Sequence, residues 1–135
     1  MVAMLRVSCL SLFALACSET PCFAQRDGVP ENLCHGLANV PTGICFDGEY
    51  QKENDELKVL LSKIRATIGY DDKIKLDKAQ KSWETYRDLT CDIDARVYFG
   101  DGSGKNTEQA ACLYVETRLQ IQDLHAIYDW EMRPH

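Results

Sequence analysis

Three carboxylates on one stretch, Asp88, Asp92 and Asp94, are the first side chains of this sequence that could do chemistry, because paired Asp or Glu residues flanking a bond are how glycosides are hydrolysed. Their spacing argues against that use. Residues two apart on a helix point in different directions, and the pair that shares a face, Asp88 and Asp92, falls outside the apolar seam, where carboxylates are simply solvated. His35, His125 and His135 stand without a carboxylate partner in sequence, and no Gly-x-Ser-x-Gly elbow is present, so no nucleophile with its base is legible. The run Gly102-Ser103-Gly104-Lys105 before a helix start could suggest a phosphate cradle. It lacks a preceding strand and the full P-loop spacing, and a hairpin turn explains its glycines better. Arg87, within Trp83-Glu84-Thr85-Tyr86-Arg87-Asp88-Leu89-Thr90-Cys91, reads as structural: its stem can lie on apolar surface while the guanidinium ties one helix to a neighbour. The chain is therefore expected not to be an enzyme and to need no cofactor.

Cysteine chemistry is the stronger signal. Of seven cysteines, Cys9, Cys17 and Cys22 fall in a segment, Met1 to Ala24, that has the make-up of a secretory signal peptide. Arg6 precedes an apolar run from Val7 to Ala16, which is shorter than the roughly 20 residues a membrane span needs, and Cys22-Phe23-Ala24 supplies a cleavage pattern before Gln25. A periplasmic or secreted protein is expected, with a lipid anchor on Cys17, after Ala14-Leu15-Ala16, as the minority alternative. Cys34, Cys45, Cys91 and Cys112 remain, an even number in an oxidising compartment, so two disulfides are expected among three possible pairings. Zinc fits poorly, since no Cys-x-x-Cys exists and no histidine stands at ligand spacing. The mature chain keeps 14 Lys and Arg against 20 Asp and Glu, a net charge of -6. Such a surface repels nucleic acid and anionic lipid and would favour a cationic protein partner, although moderate acidity is also the ordinary state of a soluble domain.

The elements that must position these groups are helical. Residues 25 to 48 carry Gly28, Pro30, Gly36, Pro41, Gly43 and Gly48 and are expected to be loop, restrained by a Cys34 to Cys45 bridge. From Glu49, the residues Tyr50, Leu57, Leu60, Leu61, Ile64 and Ile68 recur at helical spacing, with Gly69 placed for a left-handed cap. Asp71 or Asp72 can cap a second helix whose seam is Leu76, Ala79, Trp83, Tyr86, Thr90, Ile93 and Val97, ending near Phe99 before Gly100-Asp101-Gly102-Ser103-Gly104. A third helix can start at Asn106, with Gln109 completing a capping box. Its apolar positions include Ala110, Leu113, Tyr114, Thr117, Ile121, Leu124 and Tyr128. Cys91 and Cys112 then lie about 10 and 8 Å from the intervening turn, nearly level in an antiparallel hairpin, which predicts their bridge. The expected fold is an all-α bundle of three to four helices, with the first covering what the stapled hairpin leaves open.

The signature Trp83-x-x-Tyr86-Arg87-Asp88-x-x-Cys91, then Gly102-Ser103, Ala111-Cys112 and Thr117-Arg118-Leu119, resembles the LprI-type lysozyme-inhibitor family. Cys34 and Cys45 followed by Tyr50, Asp55, Glu56 and Leu57 extend the resemblance over most of the mature chain. It implies an exported, α-helical, disulfide-bonded protein, some relatives of which inhibit lysozyme. The expectation is a protein that binds a cationic lysozyme, with Asp101, Ser103 and Lys105 of the exposed turn as candidate contact residues. The alternative is a non-inhibitory envelope module that binds another protein or a cell-wall fragment.

Overall fold

A computed structural model describes Pro30 and residues 32–129, so the expected leader lies outside the described residues. Within them the chain forms three α-helices and no strand: α1 (Asn39–Thr67), α2 (Tyr70–Phe99) and α3 (Lys105–Tyr128). α3 packs along both α1 and α2. Two disulfides, Cys34–Cys45 and Cys91–Cys112, join Cα atoms 5.8 and 5.5 Å apart.

α1 starts ten residues earlier than Glu49 and takes in Pro41, Gly43 and Gly48, which were expected to be loop. Proline is tolerated there because Pro41 is the third helical residue, where a backbone N–H has no partner within the helix. The Thr42 hydroxyl donates to the Ala38 carbonyl at 2.9 Å, and the Thr42 N–H bonds the same oxygen. Gly43 serves packing. A Cβ at that position would lie 2.9 Å from Thr107 Oγ1, so its absence lets α1 approach α3 closely. Of the described residues before α1, Pro30 and 32–38 keep loop character, and there Cys34 takes a left-handed φ of 57° and is held by its bridge.

The helix junctions also differ from expectation. Gly69 has φ -69° and begins α2 instead of closing α1 in a left-handed cap; Ile68 and Gly69 form a two-residue extended link. Asp71 and Asp72 sit in the first turn of α2 and make no capping bond, although their charge suits the positive helix end. α3 begins at Lys105 with Gly104 as cap and no side-chain capping bond, so neither Asn106 nor Gln109 fulfils the expected box. Between them Gly100 adopts φ 55°, ψ -128°, a conformation that L side chains rarely take.

The larger core cluster joins Leu57, Leu60, Leu61 and Ile64 of α1 to Leu76 of α2 and to Ile121 and Leu124 of α3, with Trp83 and Tyr128 against it. A second cluster near the hairpin turn joins Phe46 to Ala111, Tyr114 and Val115, with Cys34 and Tyr50 alongside. At about 1.5–3 kcal/mol per buried large apolar side chain, these clusters are the main drive for assembly.

The buried stripe of α2 overturns the expected seam. Leu76 belongs to it and Trp83 is half-buried, but the rest of the stripe is Gln80, Arg87, Cys91 and Ala95. Ala79, Tyr86, Ile93 and Val97 face solvent. The Cys91–Cys112 bridge accounts for the rotation: the face carrying Cys91 also carries Arg87 and Ala95, at helical intervals of four. Covalent attachment to α3 turns that face inward despite its polar members.

Candidate functional site

The signature residues form an internal knot. Arg87 is only 5% exposed. Its Nη1 donates to Thr117 Oγ1 of α3 at 3.1 Å, while Nε and Nη2 donate to Asp88 Oδ1 at 2.9 and 2.8 Å. The guanidinium carbon lies 4.9 Å from the Trp83 ring centre and 5.4 Å from that of Tyr50 on α1. One cation thus touches all three helices, and the two aromatic faces replace part of its lost hydration. The Thr117 hydroxyl donates in turn to the Leu113 carbonyl at 2.7 Å, so it is satisfied in both directions. Trp83, Arg87 and Cys91 are architecture. Tyr86, expected in the seam, points outward at 63% exposure.

The three turn residues are not equivalent. Asp101 is fully projected, with Arg96 Nη1 4.0 Å away, and Ser103 is exposed. Lys105 instead folds back: its Nζ lies 3.3 Å from Asp92 Oδ1, and Arg96 Nε donates to Asp92 Oδ2 at 2.9 Å. The Arg96 hydrogen bond, then that of Lys105, holds the Asp92 carboxyl below its usual value against partial desolvation. Beneath the turn, the Phe99 ring occupies the space that a Gly104 side chain would need. The Cys91–Cys112 bridge behind it ties the turn's two helices together. The turn forms one wall of a groove of about 370 Å³, in which Ser103, Asn106 and Ala110 face Val40, Ile44 and Asp47 of α1.

A second feature beside this end was not singled out from the sequence. Between Asp47 and Glu56, α1 carries Asp47, Glu49, Glu53, Asp55 and Glu56 against Lys52 alone. Burial raises the Glu53 pKa, Glu56 and Glu49 push it further up, and Arg118, 4.0 Å away, opposes them. Arg118 is itself anchored by donating to the Tyr114 hydroxyl at 2.7 Å. A count of charge by window, in place of the whole-chain total, would have located this acidic segment, whose carboxylates are spread around the helix, with Glu49 paired to Lys52 and Asp55 to Lys58.

For catalysis the geometry offers little. Asp88 is paired with Arg87 and Asp92 with Arg96 and Lys105, so these carboxylates face cations and not each other. His125 does have a carboxylate neighbour, contrary to expectation: Asp129 Oδ1 lies 2.9 Å from its Nδ1, one helical turn on at the exposed end of α3. Among the described residues no group of three His, Cys, Asp or Glu side chains could hold a metal ion, and no helix is long and apolar enough to cross a membrane.

Comparison with known proteins places this arrangement. A family model described as "Lysozyme inhibitor LprI" matches residues 35–124, from the first loop through nearly all of α3. Neither a curated protein nor a solved structure matches the chain.

Proposed function

The chain belongs to the LprI lysozyme-inhibitor family, and from that membership we propose that it is an exported inhibitor that binds a cationic lysozyme and blocks its cleft. The observation carrying this reading is the match over residues 35–124, which takes in the Cys91–Cys112 bridge, Cys45 of the other bridge, the Arg87 knot and the turn. Export is supported by the composition of residues 1 to 24 and by the pairing of all four later cysteines.

The physical features fit a binding protein that resists unfolding. The net charge of -6, to which the acidic first half of α1 contributes, steers a cationic partner, which raises the association rate and makes it fall with salt. The adjoining turn presents Asp101 and Ser103 between two helices tied by the neighbouring bridge, so less conformational entropy is lost on contact. Lys105 supports the turn through Asp92 instead of meeting the partner.

The test is a lysis assay with the purified oxidised protein and several lysozymes. Inhibition that weakens with added salt and on Asp101→Lys is expected. Unchanged lysis at micromolar excess against every lysozyme tried would end the inhibitor reading.

A further inference from the structure

The described residues hold two Asp-Gly pairs, Asp47–Gly48 and Asp101–Gly102, in opposite backbone settings. A glycine after aspartate has no Cβ to shield its amide nitrogen, which can then reach the carboxyl carbon of the aspartate side chain. All four residues are exposed, so access does not separate the pairs. The backbone does. Gly48 lies well inside α1, where its N–H belongs to the helical ladder and the ψ of Asp47 is held near the helical value of about -42°. Closing a ring there requires that torsion to leave the helical range, which breaks the ladder around it. Gly102 lies between helices. Its N–H donates to the Phe99 carbonyl at 2.9 Å, closing a turn in which Gly100 takes φ 55°, ψ -128°. Opening one bond at the surface frees that nitrogen.

We propose that Asp101 is a site of spontaneous isomerisation to isoaspartate, and that the fold protects Asp47 from the same reaction. The Gly102 nitrogen gives up its proton and bonds to Asp101 Cγ, whose hydroxyl leaves with that proton as water, closing a succinimide ring. One water then opens the ring. Where it adds at the main-chain carbonyl carbon, the chain runs on through the former side chain and the old main-chain carbon becomes the free carboxylate. The backbone gains one carbon and the mass is unchanged. The Asp101 side chain is 94% exposed and Arg96 Nη1 is 4.0 Å away, an ion pair too open to water to hold the carboxyl in place. The Cys91–Cys112 bridge keeps α2 and α3 joined on either side, so the longer backbone is taken up within the turn. The reaction moves the carboxylate that projects furthest from this end of the molecule. It needs no partner, and the inference does not depend on the inhibitor reading.

Peptide mapping of the oxidised protein, aged for weeks in mildly acidic buffer at body temperature, tests it. Trypsin releases residues 97–105, and a second peak of the same mass is expected to grow with time, with electron-transfer fragmentation placing the isomer at Asp101. Its rate should exceed that at Asp47 by about tenfold or more, because a surface turn opens more often than the interior of a helix. In the chain reduced and unfolded in guanidinium chloride, the two pairs should react at similar rates, which assigns the difference to the fold. Asp101→Glu keeps the charge but would have to close a larger ring, so the second peak should disappear while circular dichroism stays unchanged. Absence of the isomer at Asp101 in the native protein, when the unfolded chain forms it, would overturn the proposal. Equal native rates at Asp47 and Asp101 would do the same, as would survival of the second peak in Asp101→Glu.

Discussion

Replacing Arg87 by alanine tests whether one buried cation holds the three helices together. The change removes a charged hydrogen bond to Thr117, worth about 1.5–3 kcal/mol. It also removes two ring contacts, with Trp83 and Tyr50, at about 0.5–2 kcal/mol each when desolvated. The aliphatic stem leaves a cavity. Against these losses stands the relief of no longer burying a guanidinium, which is several kcal/mol. The ion pair with Asp88 adds little, since that carboxylate is 59% exposed. The net expectation is a loss of about 2–4 kcal/mol, or about 8–16 °C in Tm at about 4 °C per kcal/mol. Thermal and urea unfolding followed by circular dichroism, with both disulfides intact, measures it. Arg87→Lys should fall between parent and alanine, because lysine keeps charge and stem but not the planar fork. A double-mutant cycle with Thr117→Val isolates the pair. If Arg87→Ala costs less than about 1 kcal/mol, or shows no coupling to Thr117, the knot is not what joins the helices.

Three further outcomes follow from the geometry. Gly104→Ala should destabilise by about 1–3 kcal/mol in the same unfolding assay, because the new methyl group overlaps the Phe99 ring. Replacing Cys91 and Cys112 together by alanine should cost about 3 kcal/mol, the loop-closure value for a separation of 21 residues, and should speed hydrogen exchange in the turn. The pH dependence has opposite signs at two carboxylates. Asp92, depressed below 3.8, stabilises above that value and its contribution is lost as pH falls through the lower folded value. Asp92→Asn should therefore flatten the acid limb of the stability curve. Glu53, raised above 4.5, costs stability as pH rises from 4.5 to its higher folded value, the full cost standing above that, so Glu53→Gln should be more stable at neutral pH.

The helical class, the pairing of Cys91 with Cys112 and the apolar stripes of α1 and α3 were legible because each rests on local spacing. Leu57, Leu60, Leu61 and Ile64 repeat at helical intervals and occupy the core. The start of α1 was not legible, because Pro41 and Gly43 carry strong local preferences that two facts override: a first-turn position for the proline and, nonlocally, the close approach of Gly43 to Thr107. On α2 the hydrophobic period misled. The apolar residues fit a seam better than Gln80 and Arg87 do, yet the bridge at Cys91 decides which side turns in. The same bridge was predicted, and carrying its direction through the helix would have put Arg87 inside and Tyr86 outside. Of the turn residues, spacing could not show that Lys105 folds onto Asp92, since that contact crosses from α3 to α2.

The Cys91–Cys112 bond encloses the exposed segment Asp101 to Ser103 within a covalent ring. A protease that cuts there opens the ring but releases neither half: the fragments separate only after reduction, as two bands where an unreduced gel shows one. An exposed turn is thus also a place at which a single cleavage leaves the molecule in one piece.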